Sequence, residues 1–385
     1  MKKNKFHYYE FFAGGGMARL GLGKEWQSIF ANDICKKKTQ AYKINFPPGE
    51  EYICKDIRLL DSNELPGNPV MAWASFPCQD LSLAGTRMGL NGERSSTFWP
   101  FWKLMQKLDT ENRSPEIIVL ENVVGAITSH KGLDFQIIVR SLIEEGYMVG
   151  PLVVNSICFL PQSRPRLFIV AIKNNFPVGS GHISSTPIEA WHSKNLITAY
   201  NRLSLELKDK WVWWNLPEPA PMNKELHEFL EMDSEDIEWF PKEKTDHLIN
   251  LMSAFNLKKI KEAQKSGLLK VGTIYRRTRV EKGIRFQRAE VRVDQISGCI
   301  RTPAGGSSRQ ILIFVEGKKI KARLFTPREV ANLMGIPSRY NLPENYNQAY
   351  HLMGDGLVVP VVSWLDKKLL SPLAKLVVNN ISKAA

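Results

Sequence analysis

The chain has 385 residues, 43% hydrophobic and 24% charged, with a formal net charge of +13. That length buries a full core and accommodates one large domain with a smaller companion. The proportions are those of an ordinary globular protein and exclude a fibrous or disordered chain, and no apolar run is long enough to span a bilayer.

The N-terminal Met1-Lys2-Lys3-Asn4-Lys5 leads into no apolar core with a cleavage site, because His7 and Glu10 interrupt it, so no secretory signal is expected. Candidate strands follow at Tyr8–Phe12, Gln27–Ala31, Tyr52–Cys54, Val70–Phe76, Glu116–Leu120, Met148–Val154 and Leu167–Ile172. Helical patterns lie between them at Cys35–Asn45, Thr97–Leu108 and Leu133–Glu145. Strands alternating with helices predict a mostly parallel sheet covered on both faces. From Lys173 to Pro187, Asn, Pro, Gly and Ser cluster, and a domain boundary is expected there. The next segment, to about Phe325, lacks clean alternation. It holds Trp211, Trp213 and Trp214, expected as core rather than as base-stacking residues, and a helical stretch near Thr245–Lys265. Regularity returns at Thr326-Pro327-Arg328-Glu329, a helix start with proline in the first turn, and at the helical pattern Val359–Leu370.

The positive charge is concentrated. Between Lys258 and Arg309 there are 14 Lys and Arg against 4 Asp and Glu. Such a cluster suggests a polyanionic partner, nucleic acid being the simplest, although a solvated surface is an equal alternative on charge alone. The five cysteines (Cys35, Cys54, Cys78, Cys158 and Cys299) are odd in number, scattered and without metal-ligand spacing, which points to free thiols and a reducing cytoplasm.

Four constellations carry chemistry. Phe11-Phe12-Ala13-Gly14-Gly15-Gly16 follows the first strand, and Asp33 follows the second about 20 residues on. Bare glycine backbone approaches a ligand closely, and a carboxylate at that distance suits a ribose, so an adenosine-type cofactor is indicated. Ser75-Phe76-Pro77-Cys78-Gln79 leaves an apolar run and opens a loop holding Ser82 and several glycines. A lone cysteine is more often buried, but one at the end of a parallel strand sits where open α/β sheets bind ligands, so Cys78 is a candidate nucleophile. Glu121-Asn122-Val123 ends another strand, pointing a carboxylate at the same crevice; a helix cap or surface turn is the alternative. In Gln162-Ser163-Arg164-Pro165-Arg166 the two arginines share one side of an extended segment and suit a carboxylate or a phosphate.

In this order the four stretches resemble the DNA (cytosine-5) methyltransferases. Further segments match: Lys55-Asp56-Ile57, Arg301-Thr302-Pro303-Ala304-Gly305-Gly306, Arg323-Leu324-Phe325-Thr326-Pro327-Arg328-Glu329, Gln348-Ala349-Tyr350 and Met353-Gly354-Asp355-Gly356. The resemblance runs from about Tyr8 to Leu370 and omits only the middle region. One departure is Asp355-Gly356-Leu357, where the family usually has Asn followed by Ser-Val; an ionised Asp accepts hydrogen bonds but does not donate.

The resemblance implies an α/β, Rossmann-like S-adenosylmethionine-dependent methyltransferase fold with a mixed, mostly parallel sheet and a smaller target-recognition domain. Residues 1–175 would form the catalytic and cofactor-binding domain and 176–322 the DNA-binding domain. Residues 323–385 would return to the first. It implies Cys78 as the nucleophile toward carbon 6 of a flipped cytosine and Glu121 on the base. Arg166 and Arg164 would hold Glu121 or the base oxygen, and Asn122 would shape the Cys78 loop. S-adenosylmethionine would lie over Phe12, Gly14 and Gly16, with Asp33 on the ribose, Ile34 on the adenine face and Asp56 near the adenine. Glu10 would be near the methionine end and Asp355 near the cofactor. Double-stranded DNA would meet Gln79, Ser82, Arg276, Arg277, Arg279, Arg285, Arg288, Arg292, Gly305 and Gly306. A cytoplasmic monomer in a restriction–modification system, beside a cognate endonuclease, is the expected setting. Two other readings compete: the same chemistry on RNA, and a non-catalytic nucleic-acid-binding protein on the same fold.

Overall fold

A computed structural model describes residues 5–77, 97–232, 237–281, 283–302 and 309–384. Its chain divides into two compact units. The first comprises Met1–Val154, Pro165–Pro219 and Val361–Ala385; the second comprises Asn155–Arg164 and Ala220–Pro360.

The first unit is built on a seven-stranded sheet. Its strands are β1 (Phe6–Phe11), β2 (Trp26–Asp33), β3 (Tyr52–Cys54), β4 (Met71–Ala74), β5 (Ile117–Val123), β6 (Tyr147–Asn155) and β7 (Pro165–Lys173), in spatial order β3-β2-β1-β4-β5-β7-β6. The pairs β1–β2, β1–β4, β2–β3 and β4–β5 are parallel, and β5–β7 is antiparallel. The mostly parallel α/β fold expected from the alternating pattern is therefore present. All four residues of β4 and the first six of β5 are buried, as a sheet covered on both faces requires. Helices α1 (Met17–Leu22), α2 (Lys36–Asn45), α3 (Phe98–Thr110) and α4 (Leu133–Glu144) fill the connections. Strand order reverses between β1 and β4, which places a crevice at the C-terminal ends of these strands.

The expected boundary near residue 175 falls elsewhere: the first unit continues to Pro219. Helices α5 (Lys194–Asn201) and α6 (Leu205–Asp209) and the short ribbon β8 (Ile183–Ser184) with β9 (Trp213–Trp214) belong to it. The reason is aromatic burial. Leu196, Leu203, Leu207, Trp211 and Trp213 join the main hydrophobic core, and the Trp214 indole N–H donates to the Gly150 carbonyl at 2.9 Å. A side chain at Gly150 would overlap that indole, its Cβ standing 2.0 Å from Nε1. The tryptophans are core, as expected.

The second unit holds α7 (Lys242–Asn250), α8 (Ala254–Lys265) and an antiparallel sheet in the order β11-β10-β12-β13. These strands are β10 (Lys270–Glu281), β11 (Ile284–Arg292), β12 (Ile311–Glu316) and β13 (Lys319–Leu324). Helices α9 (Pro327–Leu333) and α10 (Tyr346–Gly354) also lie here, so the return to the first unit comes at Val361 and not at 323. A buried ion pair explains the later boundary. Arg323, at the end of β13, binds Glu329 of α9 at 2.6 Å with both side chains inaccessible, and the same carboxylate closes the Thr326 capping box. Cutting before 323 would split β13 and part this pair from Glu231, whose N–H donates to Glu329 Oε1 and whose carbonyl accepts from Arg323. The chain then runs through α11 (Val359–Leu365), one wide turn at Asp366–Leu370, and α12 (Ser371–Ala384).

Candidate active site

At the end of β1 the chain turns sharply. Phe12, Gly14 and Gly16 all have left-handed φ angles, of 57°, 54° and 79°. At Gly16 a Cβ would stand 2.4 Å from the Phe46 ring, so glycine is demanded by space as well as by angle. At Gly14, among the described residues, a Cβ would meet only Lys38 Cδ, at 3.9 Å, which leaves space beside the α-carbon for a ligand.

Asp33, at the end of β2, stitches this turn to the next one. Its Oδ2 accepts the Gly14 N–H at 3.1 Å and its Oδ1 accepts the Cys35 N–H at 2.8 Å. Each oxygen retains a second lone pair. Ile34 beside it is 65% exposed and presents an apolar face. Asp56, past the end of β3, caps a 3-10 turn through the Arg58 N–H and is held by the Arg58 guanidinium, which lowers its pKa. Two residues that pattern reading passes over complete this corner. The Tyr52 hydroxyl donates to the Gly14 carbonyl at 3.1 Å, and the Asn32 amide donates to the carbonyls of Ile53 and Lys55. Tyr52 sits within a strand pattern and Asn32 directly after one, where nothing in the sequence marks their polar ends.

Glu10 lies beneath the turn, only 2% exposed, accepting from the Tyr8 hydroxyl at 3.3 Å. Burial raises its pKa to about 8 against the opposing pull of Arg19. A carboxyl with a raised folded pKa contributes stability below its ordinary value near 4.5 and loses it as pH rises toward 8. Glu10→Gln is expected to flatten this slope, raising Tm at pH 8 to 9 relative to the parent more than at pH 5. Equal shifts at both pH values in a thermal melt would show that Glu10 carries its charge in the fold.

At the end of β5, Glu121 is buried and its Oε1 lies 3.2 Å from Arg166 Nε on the adjacent β7. The antiparallel register, which pairs Val123 with Arg166 and Glu121 with Phe168, puts Arg166 two positions along from the carboxylate, on the same face of the sheet. Asn122 is buried too. Its amide donates to the Phe76 carbonyl at 3.0 Å, fixing the chain two residues before Cys78, while its Oδ1 accepts the Val123 N–H. Cys78, Gln79, Ser82, Gly305 and Gly306 lie outside the described residues.

Arg164 is engaged by backbone carbonyls. It belongs to the second unit, where it is 3% exposed and donates to the carbonyls of Ile300, Gly354 (2.9 Å) and Gly356 (2.8 Å). It lies before β7 begins, so the strand register that serves Arg166 does not extend to it. Asp355 is in the same unit and accepts from the Thr302 hydroxyl. Thr302 packs so tightly there that a Cβ on Gly354 would stand 2.6 Å from its N. Arg164, Gly354 and Asp355 thus clamp residues 300–302 to residues 354–356.

The candidate DNA-contacting arginines divide by strand register. Tyr275 pairs with Glu290, Arg277 with Arg288 and Arg279 with Phe286, and these share one face with Arg292. Arg276 and Arg285 lie on the opposite face. A groove of about 610 Å³ opens on the first of these faces, lined by Lys259, Tyr275, Arg277, Arg279, Arg292 and Arg301 among others.

A family model for C-5 cytosine-specific DNA methylases matches residues 6–371. The chain belongs to this family. It is a DNA cytosine-5 methyltransferase, and its methyl donor is S-adenosylmethionine. Gly14 after β1, and the Asp33 acceptors and exposed Ile34 at the end of the neighbouring β2, fit an adenosine-bearing group. Relatives include the Type II methyltransferase M1.ScrFI of Lactococcus lactis subsp. cremoris, 26% identical over 97% of this chain and 80% of that protein. Another is the Type II methyltransferase M.HhaI of Haemophilus parahaemolyticus, 21% identical over 95% of this chain and 94% of that protein. Among solved structures, S. pombe Dnmt2 methyltransferase superposes with a TM-score of 0.62 at 18% identity, covering 96% of this chain and 99% of that one. No helix among the described residues is long and apolar enough to cross a membrane.

Proposed function

We propose that this methyltransferase modifies one cytosine within a specific duplex DNA sequence, through a covalent adduct of Cys78 with a flipped base, as the modification half of a restriction–modification system. The observation that carries it is the Asn122–Phe76 hydrogen bond. It ties the chain just before Cys78 to the strand end that bears Glu121 and its partner Arg166.

Carbon 5 of cytosine is a poor nucleophile, and covalent catalysis removes that difficulty. The Cys78 thiolate adds to carbon 6, and the electrons displaced make carbon 5 enamine-like. Phe12, Gly14 and Gly16 would hold S-adenosylmethionine, with Asp33 on the ribose, Ile34 against the adenine and Asp56 near its edge, and the bound donor would supply the methyl group and leave as S-adenosylhomocysteine. Carbon 5 gains the methyl, loses its proton to a base, and the re-forming double bond expels the thiolate. Glu121 engages nitrogen 3 and the exocyclic amine, stabilising the charge that develops on the ring, and Arg166 holds Glu121 in place. Buried Glu10 supports the turn from below. Arg164 and Asp355 act by positioning residues 300–302.

The target carbon is inaccessible inside a stacked duplex, and extruding the base costs a few kcal/mol. Gln79, Ser82, Gly305 and Gly306 would meet the extruded base and its strand. The basic second unit (Ala220–Pro360) is the target-recognition element and meets the duplex through Arg276, Arg277, Arg279, Arg285, Arg288 and Arg292. The enzyme acts as a cytoplasmic monomer beside a cognate endonuclease; the Type II relatives support this setting.

Bisulfite sequencing of DNA from cells expressing the protein is expected to show methylation confined to one short sequence. Labelled methyl transfer to purified DNA and RNA completes the test. Incorporation into RNA alone would overturn the substrate assignment, and methylation without sequence preference would overturn the restriction–modification setting.

A further inference from the structure

The β10–β11 hairpin is longer than the sheet that carries it. Strand β12 pairs with β10 only from Lys270 to Ile274. Beyond that point, Tyr275–Glu281 pairs with Ile284–Glu290, and among the described residues the one further bridge is from Met252 to Ala289 at its base. A two-stranded ribbon therefore extends about 20 Å past the sheet edge, exposed from Arg277 to Val280 and from Gly283 to Gln287. It carries six Lys and Arg against two Glu between residues 275 and 290, including Lys282. A two-stranded ribbon of this charge has the dimensions and sign to enter the major groove of duplex DNA.

Within this basic ribbon stands one carboxylate that organises its neighbours. Glu290 Oε1 accepts from both Nε (3.0 Å) and Nη2 of Arg279, and Glu290 Oε2 lies 3.4 Å from Arg277 Nε. Arg277 stacks over Tyr275, its guanidinium carbon 5.0 Å from the ring centroid. The consequence for Arg279 is geometric. A guanidinium has two edges able to bind in a bidentate manner. The Nε–Nη2 edge is fixed on Glu290, which sets the plane of the guanidinium and leaves Nη1–Nη2 as the edge the carboxylate does not take. That edge matches O6 and N7 of guanine. A phosphate contact needs only charge, and pairing an arginine with a carboxylate weakens it for that purpose; holding its fork in one orientation favours reading a base.

We propose that Arg279, buttressed by Glu290, reads a guanine of the recognition sequence in the major groove, with Arg277 as a second fork on the same carboxylate. This rests on the DNA reading above and adds the residue pair that selects sequence. A DNA library randomised around a cytosine, methylated by the purified full-length enzyme and read by bisulfite sequencing, tests it. The wild type is expected to require guanine at one or more positions. Arg279→Ala is expected to relax one such position by about 5- to 150-fold, leaving the others intact. Glu290→Gln is expected to relax that same position, although it removes no cation. Salt-dependent binding supplies the second readout. If Arg279→Ala lowers methylation evenly across all contexts and reduces the slope of log K against log salt by about one, Arg279 is a phosphate contact and the proposal fails. Unchanged preferences in both variants would also overturn it. A wild type that methylates no DNA context is a separate outcome, which removes the DNA reading itself.

Discussion

Cys78→Ser is expected to lower methyl transfer to DNA by at least about three orders of magnitude, ~4 kcal/mol of lost transition-state stabilisation. Affinity for DNA should stay within about threefold of the parent. The asymmetry follows from the chemistry. A thiol reaches its anion near neutral pH and is intrinsically nucleophilic, whereas a serine hydroxyl needs an adjacent general base. The described strand ends bring Glu121, Asn122 and Arg166 near the start of the Cys78 loop, and Glu121 is already occupied with Arg166. DNA carrying 5-fluorocytosine at the target gives a complementary test, because fluorine at carbon 5 cannot leave as a proton does. The parent should form a denaturation-resistant protein–DNA adduct in the presence of S-adenosylmethionine, and Cys78→Ser should not. Unchanged turnover in the variant, or no adduct with the parent, would exclude the covalent route.

The central sheet was legible because it is buried on both faces. Runs such as Ile117–Leu120 and Met71–Ala74 are continuously apolar, and short helical patterns separate them, so their type and order follow from periodicity. The basic ribbon was not legible for the opposite reason. Its distal half is exposed on both strands, and arginines occupy both strand parities at Arg276 and Arg277, so no alternation survives. The predicted helix Thr245–Lys265 is two helices broken before Ser253, and Val359–Leu370 is part of a longer run that reaches Ala384. In the latter, Pro372 lacks the N–H that an unbroken ladder needs, and the chain widens by one turn just before it.

Legibility of the site followed the same division. Gly14, Gly16 and Asp33 declare themselves because a turn between a strand and a helix allows few residues, and the observed angles and contacts explain that restriction. The pairing of Arg166 with Glu121 depends on where β7 begins and on its register with β5, which sequence spacing leaves open. Glu290 was counted only as one acid within a basic segment. Its rarity there is the available signal, but the strand register sets it opposite Tyr275, and only the folded side-chain contacts show which arginines it organises.

Glu121→Gln is expected to reduce kcat by about 10²- to 10⁴-fold, the range for a positioned acid–base group, and to slow adduct formation with 5-fluorocytosine DNA in proportion. The amide is nearly isosteric but carries no charge to balance the ring as carbon 6 is attacked, and it weakens the contact with Arg166. Arg166→Ala should cost less, because Glu121 remains but is free to turn away from the base. If the two residues work as one unit, the double variant should be no slower than Glu121→Gln alone, a coupling that a double-mutant cycle reads directly. A merely structural ion pair predicts a different pattern. Both single variants would lower Tm, kcat at a temperature well below melting would be preserved, and the adduct would form at the parental rate. Additive losses in kcat would instead mean that Arg166 meets the base independently of Glu121. The 3.2 Å contact between two largely buried side chains favours coupling, since removing either partner leaves the other charged and poorly solvated.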